Sequence, residues 1–493
     1  MTAGVLRIAL FTHSVNPRGG VVHTLELAQA LRIEGHDVTI FAPASDTESM
    51  FRKSPCRIVL ARVADPQAGT VGMVDARIRA LKAALLNHGP DGFDVLHAQD
   101  SISGNALAEL KQSGAIRGFV RTVHHLDHFD HPQLANWQRR AWQDADAVLC
   151  VSDTWTRAMR DTHGVNAQTV PNGVDVSRYR PITAPDTTAA LRARLGIAGS
   201  PVILAVGGIE ARKNTLMLLD AFAILRNSRP NAQLVIAGGA SLLDHDDYAR
   251  QFVVRSDELA LPIGPGEPIV VTGPLEDDTM PVIFNCADVV SMISAREGFG
   301  LVVLEALACG KPVVVSRIAP FTEYLDDRTC VWADATRADL TAQALLEAID
   351  DDGGGIDFTN AVPALLNRFN WAASARRHLE IYQQWLASQP PALNQGTDMP
   401  VMHFKIRWPD GIEASCYSPS TVVGEFFVAG ERYPVDDFVA RAREALNIGS
   451  ERVREKYGFA CSAALDQLAQ IEAAATRFQG QPDAQVTLLE LAE

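Results

Sequence analysis

Residues 294–316, SAREGFGLVVLEALACGKPVVVS, constrain this chain more than any other stretch. They read as loop, helix, turn and strand. Gly298 and Gly300 admit a close backbone approach that a β-carbon would block, and the apolar helix over 301–309 is stopped by Gly310 and Pro312. The free N–H groups that open such a helix, with the positive end of its dipole, make a seat for phosphate. Glu305 stands among apolar neighbours and is expected to be buried, so its carboxylate needs partners. Vicinal hydroxyls such as those of a ribose suit that position. Glu297 lies eight positions earlier, so two carboxylates bracket the anion site.

The flanking sequence repeats the same alternation. Residues 6–11 form an apolar strand, followed by a turn carrying Gly19 and Gly20, an amphipathic helix over VVHTLELAQALRIEG, and a second strand in HDVTIFAP. This is a right-handed βαβ unit with ligands expected beyond the carboxyl end of the strand. It lacks GxGxxG, so hydride chemistry has no fingerprint here. DVLHAQD and ADAVLCVSD are further strands. After a linker over 183–188 and a short helix in LRARLGI, the pattern resumes with PVILAVGG, the cations Arg212 and Lys213 ahead of an amphipathic helix, then QLVIAGGAS and PIVVTGPL.

His124, His125, His128 and His131 interleave with Asp127 and Asp130 and invite a metal reading. That reading is set aside, because the four sit in one strand-to-loop exit without the i, i+4 spacing or distant pairs that converge on an ion. At 493 residues the chain exceeds one ordinary core. The hydrophobic fraction of 47% and charged fraction of 21% are those of a globular protein, and no apolar run is long enough to span a bilayer. The net charge of -15 opposes nucleic acid or an anionic membrane as partner. Seven scattered cysteines form no metal or disulfide spacing, and a reducing cytoplasm is expected.

Glu297-Gly-Phe-Gly, Glu305 and the closing Ala-Cys-Gly-x-Pro-Val resemble the donor site of the family 4 retaining glycosyltransferases, whose fold is called GT-B. The ordered matches extend from about residue 6 to 388: Gly19-Gly20, Thr122-x-His124, Val151-Ser152, Asn172-Gly-Val-Asp, Lys213 and a Trp371-led final helix. The resemblance implies an α/β fold of two Rossmann-like doubly wound domains facing across a cleft. It implies a nucleotide diphosphate sugar as donor, an unidentified small-molecule, glycan or lipid acceptor, and no metal or other cofactor. His124, Glu297 and Lys213 take the catalytic positions. Gly19, Gly20, Arg212, Lys213, Gly273, Leu275, Glu297, Gly298, Phe299, Gly300, Leu301 and Glu305 take the donor-binding ones. The sequence departs from the pattern at Gly207-Gly208, where the family has Gly-Arg, and Arg212 is the candidate replacement. Glu323 matches a family Glu and is read as structural.

Past QPPALNQGTD, the strand MHFKIRWPDGIEASCYSP alternates and turns at Pro409-Asp410-Gly411, and helices over VDDFVARAREALNIG, SERVREKYG and CSAALDQLAQIEAAAT follow. This α+β module is similar to a small family described as responding to nitrogen starvation. It carries no catalytic constellation. The expected divisions are 1–180 for the acceptor-side domain, 181–368 for the donor domain, 369–388 for a crossover helix, 389–398 for a linker and 399–480 for the module. Two other functions share these features: a GT-B epimerase or phosphorylase, and a nucleotide-sugar-sensing regulator or scaffold linked to nitrogen.

Overall fold

Strands buried on both faces, rich in Val, Ile, Leu and Ala, build two parallel sheets, as expected where helices cover each side. The first sheet comprises β1 (Arg7–Phe11), β2 (Asp37–Ala44), β3 (Arg57–Arg62), β4 (Val95–Ala98), β5 (Val120–Val123), β6 (Ala147–Cys150) and β7 (Gln168–Thr169), in the order β3-β2-β1-β4-β5-β6-β7. The second comprises β8 (Val202–Val206), β9 (Gln233–Ala237), β10 (Ile269–Gly273), β11 (Val289–Met292), β12 (Val313–Ser316) and β13 (Val331–Ala333), in the order β10-β9-β8-β11-β12-β13. Each sheet reverses direction beside its first strand, which opens a crevice at the strand ends. The computed structural model describes residues 4–63, 69–239, 246–350, 355–389, 401–457, 462–478, 481 and 483–492. Two units divide the chain, Met1–Leu386 and Ala387–Glu493, and both parallel sheets belong to the first.

Four helices of this unit carry the site. They are α1 (Gly19–Ile33), α2 (Asp153–His163), α3 (Thr215–Arg226) and α4 (Leu301–Ala308). A fifth, α5 (Trp371–Ser388), packs Trp371, Leu379, Ile381, Tyr382 and Trp385 against Ile8, Leu10 and Leu25 of the first lobe. Each such buried side chain contributes roughly 1.5–3 kcal/mol. Polar groups fix the register: His97 meets the Tyr382 hydroxyl at 2.6 Å and Thr122 Oγ1 at 2.7 Å, tying α5 to β4 and β5.

Several sequence expectations are corrected. The stretch 183–188 is no free linker, because Pro185 opens a helix, Pro185–Leu195, with its missing N–H at a position that needs no donor. Strand β3 gave no readable signal, since only Ala61 of its six residues is fully buried. The 389–398 linker lies, after Gln389, outside the described residues, as do Met399, Pro400 and Cys461.

In the second unit, β14 (Met402–Arg407), β15 (Glu413–Ser418), β16 (Arg432–Pro434) and β17 (Gln485–Ala492) form an antiparallel sheet in the order β15-β14-β17-β16. Phe404, Ile406, Val486 and Leu488 pack with Phe438, Leu446 and Ile471 of helices α6 (Val435–Tyr457) and α7 (Ser462–Ala475). Gly449 does not divide α6. It lets the helix pass Pro419, whose Cγ would lie 3.3 Å from a β-carbon there. Ending the module at 480 is also a correction, because β17 pairs with both β14 and β16 and cannot be removed without splitting the sheet.

Candidate active site

The segment that follows β5 meets the segment that follows β11 across the cleft. From the second lobe, Glu297 is 8% exposed and its Oε1 accepts from Lys213 Nζ at 2.7 Å, Arg212 Nη1 at 2.8 Å and Ser294 Oγ at 3.1 Å. Burial alone would raise its pKa. The Lys213 and Arg212 charges outweigh that and hold it at about 2. Glu297 is therefore an ionised hydrogen-bond acceptor and no proton donor at neutral pH.

Gly300 precedes α4 with φ +93 and a β-carbon there would strike the Phe321 ring, so only glycine fits. Phe299 is a core side chain, stacked on Tyr324 at 5.1 Å with its carbonyl accepting from the Tyr324 hydroxyl at 2.8 Å. Its backbone and that of Leu301 flank Gly300, where the chain turns into α4. One turn into α4, Glu305 is 9% exposed. Burial first and the nearby Glu26 second push its pKa to about 7, against the pull of Arg178, Tyr179 and Arg52.

From the first lobe, a β-carbon on Gly20 would lie 3.8 Å from His124 Cδ2 and 3.9 Å from His13 Cε1, while one on Gly19 would meet nothing within 4 Å. His124 stacks edge-on against His23 at 4.6 Å, and burial, with His23 and the Arg121 charge nearby, keeps it neutral, far below its ordinary pKa. Its Nε2 has no protein partner among the described residues. His23 is in turn fixed through Nδ1 to Asn172 Oδ1 at 2.8 Å. The other histidines disperse. His125 and His128 point outward beside Asp127 and Asp130, and His131 Nδ1 accepts the Gln133 N–H at the start of a helix.

The lobes meet directly. A β-carbon on Gly298 would strike the His124 carbonyl oxygen, so this glycine lets the 297–300 loop reach the opposite lobe. Trp155 Nε1 donates to the Glu297 carbonyl at 3.2 Å, and Arg296 donates to the Leu126 carbonyl at 2.8 Å. On the far edge Arg52 pairs with Glu26 and, through Nε, with Asp277 at 2.7 Å, and Arg178 also reaches Asp277 at 2.7 Å. None of Glu26, Arg52, Arg178 and Asp277 stood out in the sequence. The available signal was Glu26 inside the apolar run VVHTLELAQAL, whereas a pairing across 225 residues leaves no local trace. Gly273 ends β10 with φ +67, its carbonyl accepting from Gly238 at 3.1 Å, and Leu275 packs on the core of the second lobe two residues before Asp277.

The missing arginine also has a cause. A β-carbon on Gly208 would fall 2.6 Å from the Gly239 carbonyl oxygen and 3.3 Å from Glu210 Oε1, so no side chain fits. Arg212, 3.5 Å from Glu210, supplies a cation on the same loop.

A family described as "Glycosyltransferase Family 4" matches residues 17–178, one described as "Glycosyl transferases group 1" matches 188–361, and one described as "Nitrogen starvation-induced protein NitG" matches 403–491. A D-inositol 3-phosphate glycosyltransferase of Xylanimonas cellulosilytica is 30% identical over 401 residues, covering 76% of this chain and 93% of that protein. Among solved structures, a sucrose-phosphate synthase from Thermosynechococcus elongatus superimposes with a TM-score of 0.63 at 22% identity, over 78% of this chain and 100% of the other. Anabaena HepE in complex with UDP-glucose does so with a TM-score of 0.62 at 19% identity, over 77% and 100%. These are GT-B folds. No helix among the described residues is long and apolar enough to cross a membrane.

Proposed function

The chain belongs to the family 4 glycosyltransferases, and on that premise we propose that it transfers a sugar from a nucleotide diphosphate sugar to an acceptor hydroxyl, with retention of configuration and without a metal ion. The convergence of Lys213 and Arg212 on one carboxylate at the mouth of α4 carries this reading. Two cations and a helix N-terminus gather where a diphosphate leaving group develops charge, the task a divalent ion would otherwise perform. Glu297 then orients sugar hydroxyls, Glu305 holds the ribose, and Gly273 to Leu275 meet the base. His124, neutral and with Nε2 unengaged, hydrogen-bonds the sugar or the bridging oxygen.

In the transfer the anomeric carbon–oxygen bond breaks with its electrons going to the diphosphate. The acceptor oxygen attacks the same face, and its proton passes to a diphosphate oxygen. Gly19 and Gly20 leave room for the approaching phosphate and acceptor. The inositol phosphate substrate named for the relative suggests a cyclic polyol as the first acceptor to try. Cytoplasmic residence is part of the same proposal, supported by free, buried thiols at Cys56, Cys150, Cys286, Cys309, Cys330 and Cys416.

Thermal shifts with UDP, GDP and ADP in EDTA test the donor half. A nucleotide at a hundredfold excess over its dissociation constant stabilises by about 2.7 kcal/mol. The anomer first released from the matching nucleotide sugar, read by proton NMR, tests retention. A shift that needs added metal, or an inverted product, overturns the corresponding part.

A further inference from the structure

Helices α1 and α4 come from opposite lobes, and each presents an i, i+4 pair to one small shared cavity: Val22 and Glu26 from α1, Leu301 and Glu305 from α4. Tyr179 and Trp371 close its walls. Both carboxylates are buried, Glu26 at 6% exposure and Glu305 at 9%. The nearest guanidinium groups do not neutralise both. Arg52 is engaged by Glu26 and Asp277, and Arg178 holds Asp277 at 2.7 Å while standing 3.9 Å from Glu26. Two facing carboxylates of this kind repel unless donors come between them. Glu26 accepts from Arg52 and Glu305 from Tyr179, and a vicinal diol adds two O–H donors a few ångströms apart, one for each carboxylate.

We propose that the donor ribose is gripped from both lobes, one hydroxyl donating to Glu305 and the other to Glu26. This rests on the reading of Glu305 as the ribose residue and adds a contact from the opposite lobe. Glu26 is held in place by Arg52, which also pairs with Asp277 at the loop that follows β10. Ribose binding then removes the repulsion that opposes closure, so the nucleoside half of the donor draws the lobes together before the sugar meets His124.

The test is isothermal titration of UDP, GDP and ADP with their 2′-deoxy and 3′-deoxy counterparts, on wild type, Glu26→Ala, Glu26→Gln and Glu305→Ala. In wild type, loss of either hydroxyl weakens the preferred nucleotide about 10-fold, equivalent to ~1.4 kcal/mol. Glu26→Ala becomes indifferent to one hydroxyl and Glu305→Ala to the other, with Glu26→Gln in between. Each ratio is internal to one protein, so a general loss of stability does not mimic it. Full sensitivity to both hydroxyls in Glu26→Ala and Glu26→Gln overturns the two-lobe grip. If Glu305→Ala then loses both, the donor reading stands without it. If Glu305→Ala also keeps both, or wild type binds none of the three nucleotides, the donor reading falls and takes this inference with it.

Discussion

Glu323 Oε1 accepts the backbone N–H of Thr154 at 2.6 Å, although Glu323 belongs to the second lobe and Thr154 to the first turn of α2 in the first. Its other oxygen accepts the N–H of Asp153 at 2.9 Å, and Arg157 approaches Oε1 at 3.3 Å. A carboxylate from one lobe thus supplies the anion that the helix dipole of the other favours. The sequence assigns Glu323 a structural role, and the structure gives that role a place: it clasps the cleft.

Replacing Glu323 by Ala removes this clasp and costs about 1–2 kcal/mol of the closed form, the usual worth of a helix cap. Small-angle scattering should show a larger radius of gyration for the free variant, and nucleotide affinity should fall up to about 10-fold. An unchanged radius with unchanged affinity would show that the cap does not govern closure.

Lys213→Ala leaves the Glu297 carboxylate with Arg212 as its remaining cation. Stability should drop by about 2–4 kcal/mol, because a buried charge loses a partner. With a folded pKa at about 2 against an ordinary 4.5, Glu297 contributes stability above pH 4.5 that is lost as pH falls toward 2. In Lys213→Ala the folded value rises, so that contribution shrinks and its loss is confined to a narrower span just below pH 4.5. Acid titrations of both proteins, followed by circular dichroism, check the sign.

Glu305→Gln should act in the opposite sense on the free protein. The folded value of about 7 lies above the ordinary 4.5, so the native state holds this proton more tightly than the unfolded chain. Wild-type stability therefore falls as pH rises from 4.5 through 7, by up to about 3 kcal/mol. The amide cannot ionise, so the variant should equal wild type near pH 4.5 and exceed it at pH 8, while binding nucleotide more weakly. Melting curves across that range measure the first effect and titration calorimetry the second.

Gly298→Ala places a methyl group against the His124 carbonyl oxygen across the cleft. The second lobe can relax by opening, which gives up the Glu323 cap, so stability should fall by about 1–2 kcal/mol. Transfer should fall about 100-fold, the cost of misplacing reactants by an ångström. Normal turnover in this variant would mean that chemistry does not require the observed approach of the lobes.

The sequence by itself determined the parallel-sheet class, the loop–helix seat around Gly300 and the two carboxylates. Each depends on local chemistry: apolar runs punctuated by glycine, and charged residues stranded on an apolar helix. The absence of an arginine at Gly208 is legible as well, but its reason is not, because the Gly239 carbonyl that fills the space comes from the segment after β9. The continuity of helix α6 through Gly449 is hidden for the same kind of reason, since Pro419, which the glycine clears, is remote in sequence. Only the tertiary structure decided that Lys213 and Arg212 share Glu297, that Glu26 faces Glu305, and that Glu323 caps a helix of the opposite lobe. The first is set by the packing of β8 beside β11 within one lobe, and the other two by the closing of one lobe on the other. A charge pairing across 84 residues or more imposes no periodicity or spacing on the chain that carries it.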